Sequence, residues 1–129
     1  MASWSVLAAA VAALLAASTS GPVTAAPERA AGYTTYVACS HKKSAPPSHS
    51  CAKEARKAAF FVSEDADVVY DICLKVPGSD RKLCARGQAA EQGKKYRNTI
   101  TSQKLGKHTV TWYVDGQKVD SFSFRVRAG

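Results

Sequence analysis

Four cysteines stand in a chain of 129 residues, at Cys39, Cys51, Cys73 and Cys84. An even count in so short a chain means a disulfide framework if the protein is exported, and metal-binding or catalytic thiols if it is not. The amino-terminal residues decide between the two. From Trp4 to Ala17 nearly every residue is apolar, polar Ser18-Thr19-Ser20-Gly21-Pro22 follows, and small residues stand at Val23-Thr24-Ala25. This run is shorter than the roughly 20 residues a membrane span needs, and small residues at −3 and −1 fit signal-peptidase cleavage. No Lys or Arg precedes the run, so the amino group is the only positive charge there. The expectation is a signal peptide over residues 1–25, a secreted chain with no membrane span after cleavage, and cysteines oxidised in pairs.

Four cysteines allow three pairings, and strand register chooses among them. In Val68-Val69-Tyr70-Asp71-Ile72-Cys73-Leu74-Lys75-Val76 the apolar residues Val68, Tyr70, Ile72, Leu74 and Val76 share one face, the pattern of a half-buried strand. Pro77-Gly78-Ser79-Asp80 then turns the chain into Arg81-Lys82-Leu83-Cys84-Ala85. Closing a hairpin there sets Leu74 against Leu83 on the inner face and Cys73 against Cys84 on the outer one. Directly opposed residues have Cβ atoms about 4.5–5.5 Å apart, within easy adjustment of disulfide geometry. The same register opposes Lys75 and Lys82, an unfavourable pair. Cys73–Cys84 is expected, and Cys39–Cys51 follows by elimination.

The second bridge closes a polar, basic loop over residues 40–50 that carries Pro46 and Pro47. A loop of that size stabilises by roughly 3 kcal/mol in the chain-entropy account. Cys39-Ser40-His41 and His49-Ser50-Cys51 form a mirrored set that zinc could use, but the spacing matches no common zinc module and export favours oxidised sulfur. Tyr36-Val37-Ala38-Cys39 faintly resembles a lipobox, with an aromatic residue at −3 and the wrong distance from the apolar run. No metal or cofactor is expected.

Further strands are predicted at residues 33–37, 58–62 and 96–101, with one helical turn at 52–57 and a loop over 86–95 containing another near Ala89-Ala90-Glu91. His108, Val110, Trp112 and Val114 alternate with polar residues, and Asp115-Gly116 is a strong hairpin turn. The inward parity of Val119 disagrees with that of Phe122, Phe124 and Val126. A β-bulge near Asp120-Ser121, or a turn with one extra residue, reconciles them. Seven strands with turns at short intervals argue for an all-β sandwich. Three units are expected: the signal peptide, an extension over residues 26–57 with the closed basic loop, and a sandwich over 58–129.

Leu105-Gly106-Lys107-His108-Thr109-Val110-Thr111-Trp112 followed by Val114-Asp115-Gly116 resembles the corner and last hairpin of immunoglobulin-like and fibronectin type III-like modules. His108 takes the place where these families often carry a tyrosine, and Val110 the place of the second cysteine of an immunoglobulin disulfide. With the paired-cysteine hairpin, residues 60–126 also look like a group of small exported actinobacterial proteins that have no assigned activity. The resemblance implies an immunoglobulin-like β-sandwich and almost nothing about activity.

The formal net charge is +8, and residues 1–27 contain no charged side chain, so all of it belongs to the exported domain. No serine elbow, phosphate loop, paired-histidine helix or dinucleotide fingerprint occurs, so a non-enzymatic protein is expected. Export and the lack of any recognisable module disfavour nucleic acid as a partner. The acidic turn Ser63-Glu64-Asp65-Ala66-Asp67 lacks the spacing of an ordered calcium loop and reads as solvated. The candidate binding face lies opposite Tyr70 and Ile72: Phe61, Val69 and the Cys73–Cys84 bridge, bordered by Lys75, Lys82 and Arg86. The competing expectation is that residues 33–57 fold over this strip. Lys94, Lys95 and Arg97 read as a solvated edge that discourages strand pairing. The leading function is a secreted binding or structural module for proteins or anionic envelope polymers; the rival is a protease inhibitor presenting the turn closed by Cys73–Cys84.

Overall fold

The computed structural model describes residues 28–30 and 32–129; the expected signal peptide lies outside the described residues. The chain is all β there, with strands β1 (Glu28–Ala30), β2 (Tyr33–Ala38), β3 (Ser50–Ala52), β4 (Lys57–Ser63), β5 (Val68–Lys75), β6 (Lys82–Ala90), β7 (Lys95–Ile100), β8 (Gly106–Val114) and β9 (Gln117–Arg127). They form a four-stranded sheet in the order β1-β2-β4-β7 and a five-stranded sheet in the order β3-β9-β8-β5-β6. All neighbours are antiparallel except β3 and β9, which run parallel. This is the expected immunoglobulin-like sandwich, with β1 and β3 as additional short strands.

Strand parity builds the core. His108, Val110, Trp112 and Val114 of β8 are buried, as are Phe122, Phe124 and Val126 of β9, while the residues between them face outward. The β8–β9 turn is formed by Asp115 and Gly116, both with positive φ (52° and 75°), the type I′ geometry that suits a two-residue hairpin. A bulge follows at Val119: Trp112 pairs with Asp120 and Tyr113 with Lys118. It lies one residue earlier than expected and switches Val119 out of step with Phe122.

The two sheets are tied together at several points. Phe61 of β4 stacks on Tyr70 of β5 with centroids 4.1 Å apart. The Tyr70 hydroxyl donates to Asn98 of β7 at 2.7 Å, and burial, with Tyr96 nearby, pushes its phenol pKa up to about 12. The Thr35 hydroxyl of β2 donates to the Asp120 carboxylate of β9 at 2.5 Å. Cys39, just after β2, is bonded to Cys51 in β3, so this bridge joins one sheet to the other. Its sulfurs are thereby unavailable to zinc.

The expected boundary at residue 57 does not divide the structure. β2 pairs with β4 along its whole length, and β3 lies against β9, so residues 33–57 are part of the sandwich. The loop over residues 40–50 does act as a cover, but on the other sheet from the one expected. The Tyr36 and Phe60 rings stack with centroids 5.0 Å apart on the outer side of the four-stranded sheet. The Lys95 ammonium sits 5.0 Å from the Tyr36 ring centroid and donates to the Tyr36 hydroxyl and the Lys43 carbonyl, while Arg97 donates to the His41 carbonyl. Lys95 and Arg97 therefore clamp this loop over aromatic rings instead of forming a bare solvated edge. The helical turn expected at 52–57 is a single hydrogen-bonded turn, the Ala55 amide donating to the Ala52 carbonyl at 3.0 Å, and the one expected near 89–91 is the end of β6. The acidic turn is occupied internally, with Glu64 accepting from Thr34 and Asp67 from the Gln92 amide.

His108 is fully buried at the corner. A carbonyl can only accept, so Nδ1 carries the proton toward the Gly106 oxygen (3.1 Å) and Nε2 accepts from the Ser102 hydroxyl (2.8 Å). Burial dominates its titration and lowers its pKa; the Gly106 bond opposes this, and Lys57 and Lys104 add to the lowering. A pKa lower in the folded than in the unfolded state means the unfolded chain takes up the extra proton in acid. The stability contributed is complete above the unfolded value of about 6.5 and is lost as the pH falls toward the folded pKa. Urea midpoints between pH 7.5 and 5 are expected to fall more steeply for the native protein than for His108→Gln. Equal slopes would remove His108 from the acid response.

Candidate binding face

The outer face of the five-stranded sheet is assembled from alternate residues of five strands. Because β5 and β6 turn tightly into one another, their register is set locally: Lys75 faces Lys82, Leu74 faces Leu83 and Cys73 faces Cys84. The bridge forms across this hairpin as expected. Long-range pairing then extends each row. Lys82, Lys75, Thr109 and Ser123 lie in one line across β6, β5, β8 and β9, and Cys84, Cys73, Thr111 and Ser121 in the next. A third line carries Asp71, Tyr113 and Lys118. Beyond the first line Lys107 faces Arg125, whose other neighbour is Ser50, and Arg127 lies beside Ala52.

The face is therefore a flat field of hydroxyls and cations. Thr109 and Ser123 share a hydrogen bond of 3.2 Å, and Arg127 donates to Ser50 at 3.2 Å. Asp71 is the carboxylate that strand parity places here, and it is already engaged, with Arg86 at 3.6 Å and the Gly87 amide at 2.9 Å. A depression of about 400 Å³ lies over the bridge, walled by Asp71, Lys82, Arg86, Tyr113 and Gly116. Lys82 donates to the Tyr113 hydroxyl at 3.3 Å across it. A second, of about 350 Å³, lies between Lys75, Lys107 and the turn at Pro77 and Gly78.

Of the residues expected at a binding face, Lys75, Lys82 and Arg86 come together around the bridge. Val69 is exposed, at 57% of its surface, but it sits toward the other end of β5, opposite Ala89. Phe61 is a correction. It belongs to the other sheet and is wholly buried, because its parity in β4 points it between the sheets onto Tyr70. Leu83 is another: its register is as expected, yet 63% of it is exposed, because β6 is an edge strand that the opposite sheet does not cover. Lys107, Tyr113, Lys118, Arg125 and Arg127 were not anticipated. Their outward parity is readable from His108, Val110, Phe122 and Phe124, but their place on one face with Lys75 requires the β5–β8 pairing, which skips over β6 and β7.

No protein-family profile matches the chain, and no curated protein matches it in sequence. A solved structure of an immunoglobulin-like protein from Pseudomonas aeruginosa is similar, with a TM-score of 0.52 over 74% of this chain and 91% of that one at 11% identity. Likeness at that identity shows the fold alone.

Proposed function

We propose that the protein is a secreted, non-enzymatic binding module that holds anionic polymers or acidic protein surfaces on the outer face of its five-stranded sheet. Two cross-strand pairs carry this reading: Lys75 opposite Lys82, and Lys107 opposite Arg125. Like charges directly opposed destabilise a sheet. A polyanion lying across both pairs relieves that repulsion, so the face binds best what the fold itself lacks.

Two results are expected. Lys75→Gln and Arg125→Gln should each leave the free protein equally or slightly more stable, unlike most substitutions. Both should lower the salt concentration that elutes the protein from heparin or poly(glycerol phosphate), and either polymer should raise the native melting temperature. Retention indifferent to salt, or no thermal shift with polymer, would remove the electrostatic reading.

The inhibitor reading rests on the rigidity of the turn over residues 76–81. The Ser79 amide donates to the Val76 carbonyl at 3.4 Å, the Arg81 amide to the Ser79 hydroxyl at 3.2 Å, and Pro77 packs against Gly106. Preorganisation of this kind lowers the cost of binding. Inhibition of trypsin or subtilisin at micromolar protein would bring it forward, and none would sink it.

A further inference from the structure

β6 and β7 are each an edge strand of their sheet, as β1 and β3 are at the opposite edges, and a cleft of about 340 Å³ opens between β6 and β7. Its walls are apolar, chiefly Ile72, Leu74, Leu83, Ala85, Ile100 and Val110. Leu83 is among the most exposed large apolar side chains of the described residues. The backbone of β6 is equally open. Cys73 and Cys84 are direct partners with Cα atoms 4.0 Å apart. That short separation marks a pair without mutual backbone hydrogen bonds, in which each residue's N–H and C=O point away from the other strand. The N–H and C=O of Cys84, and by the two-residue period those of Lys82, therefore face the free edge.

We infer that β6 from Lys82 to Arg86 accepts, by strand addition, an extended peptide that alternates acidic and apolar residues. Alternation on β6 sets the pattern. Leu83 and Ala85 turn toward the cleft, whereas Lys82, Cys84 and Arg86 belong to the outer face. A strand added beside them places every second side chain in the cleft and the others against Lys82 and Arg86. The bridge ties Cys84 to β5, so the edge is held in shape before the peptide arrives. Beyond Arg86 the docking edge ends. Gly87 has a positive φ of 68°, its amide is taken by Asp71, and the register shifts between Tyr70 and Ile72, a bulge that twists the strand away. A second copy of this chain is disfavoured as occupant, because pairing β6 with itself brings Lys82 and Arg86 against like charges. The inference goes beyond the flat-face reading: it needs the edge and cleft, which a polymer on the hydroxyl field does not touch.

The test uses the ¹⁵N-labelled oxidised protein and a capped peptide of seven residues alternating glutamate and valine. A peptide of the same composition with its glutamates and valines in separate blocks is the comparison. The alternating peptide is expected to bind about ten-fold more tightly and to shift and protect the Cys84 amide. Leu83→Ser, at an exposed position, should weaken it about ten-fold while leaving heparin retention unchanged. Equal binding of the block peptide, shifts centred on Lys107 and Arg125, or a concentration-dependent dimer formed through β6 would each overturn the inference.

Discussion

Phe61→Ala is expected to destabilise the protein by about 3–5 kcal/mol, the usual range for emptying a buried aromatic site. Phe61 has no exposed surface, and it lies against Tyr70 at 4.1 Å and Tyr33 at 5.6 Å. It packs from the four-stranded sheet onto Tyr70 of the five-stranded one, so the cavity it leaves lies between the two sheets. A domain of this size has about 5–15 kcal/mol of stability in total, and each kcal/mol shifts the melting point by roughly 4–8 °C. Thermal melts followed by circular dichroism should therefore fall by tens of degrees. Val69→Ala, on an exposed strand position, should change stability by about 0.5 kcal/mol or less. A small shift for Phe61→Ala with loss of heparin retention would return Phe61 to the surface, where its sequence neighbourhood first placed it.

Removing the bridge between the sheets is the second large effect. Cys39→Ala with Cys51→Ala should cost about 3 kcal/mol, the loop-closure value for a separation of this order, which here is 12 residues. The physical loss is more than chain entropy, because Cys51 is fully buried and β3 hangs on it. His49 leans on Phe122 at 4.2 Å and its Nδ1 lies 2.6 Å from the Ser123 carbonyl, and the Arg125 amide donates to the His49 carbonyl. Hydrogen exchange should show the Arg125 amide losing protection, and trypsin should cut after Lys42 and Lys43 in the covering loop. The Cys73→Ala, Cys84→Ala protein has a similar separation to lose, 11 residues, but its strands stay joined by their own turn and ladder. Its damage should be confined to the β5–β6 hairpin and to peptide binding on β6. Equal loss of Arg125 protection in both variants would contradict a distinct role for the bridge between the sheets.

Where sequence reading succeeded, the determining contacts were short in range. The Cys73–Cys84 pairing followed from a four-residue turn, since a tight turn leaves a hairpin little freedom of register. The parity of β8 and the Asp115-Gly116 turn were equally local. Where reading failed, a residue's surroundings depended on a distant strand. Phe61 and Val69 have similar character, yet one lies between the sheets and the other faces water. Lys95 and Arg97 have the composition of a guarded edge, but the loop closed by Cys39 and Cys51 supplies carbonyls for them to hold. The boundary at residue 57 does not divide the structure because β2, readable as a strand, takes β4 as its partner, and β3, three residues long, joins the other sheet, neither pairing being visible in local pattern.

By itself the sequence determined the class of fold, the disulfide pairing and the inward side of β5, β8 and β9, because period-two alternation and tight turns act over a handful of residues. Only the tertiary structure decided which strands share a sheet, and so which inward residues become core and which outward cations become neighbours. Lys75 meets Lys82 through one turn, but Lys75 comes to lie near Lys107 and Arg125 only because β5 pairs with β8 across a gap in sequence that no local pattern spans. The open edge at Leu83 has the same origin. A strand's alternation says which side of it is apolar, and the number of strands in the opposite sheet says whether anything covers that side.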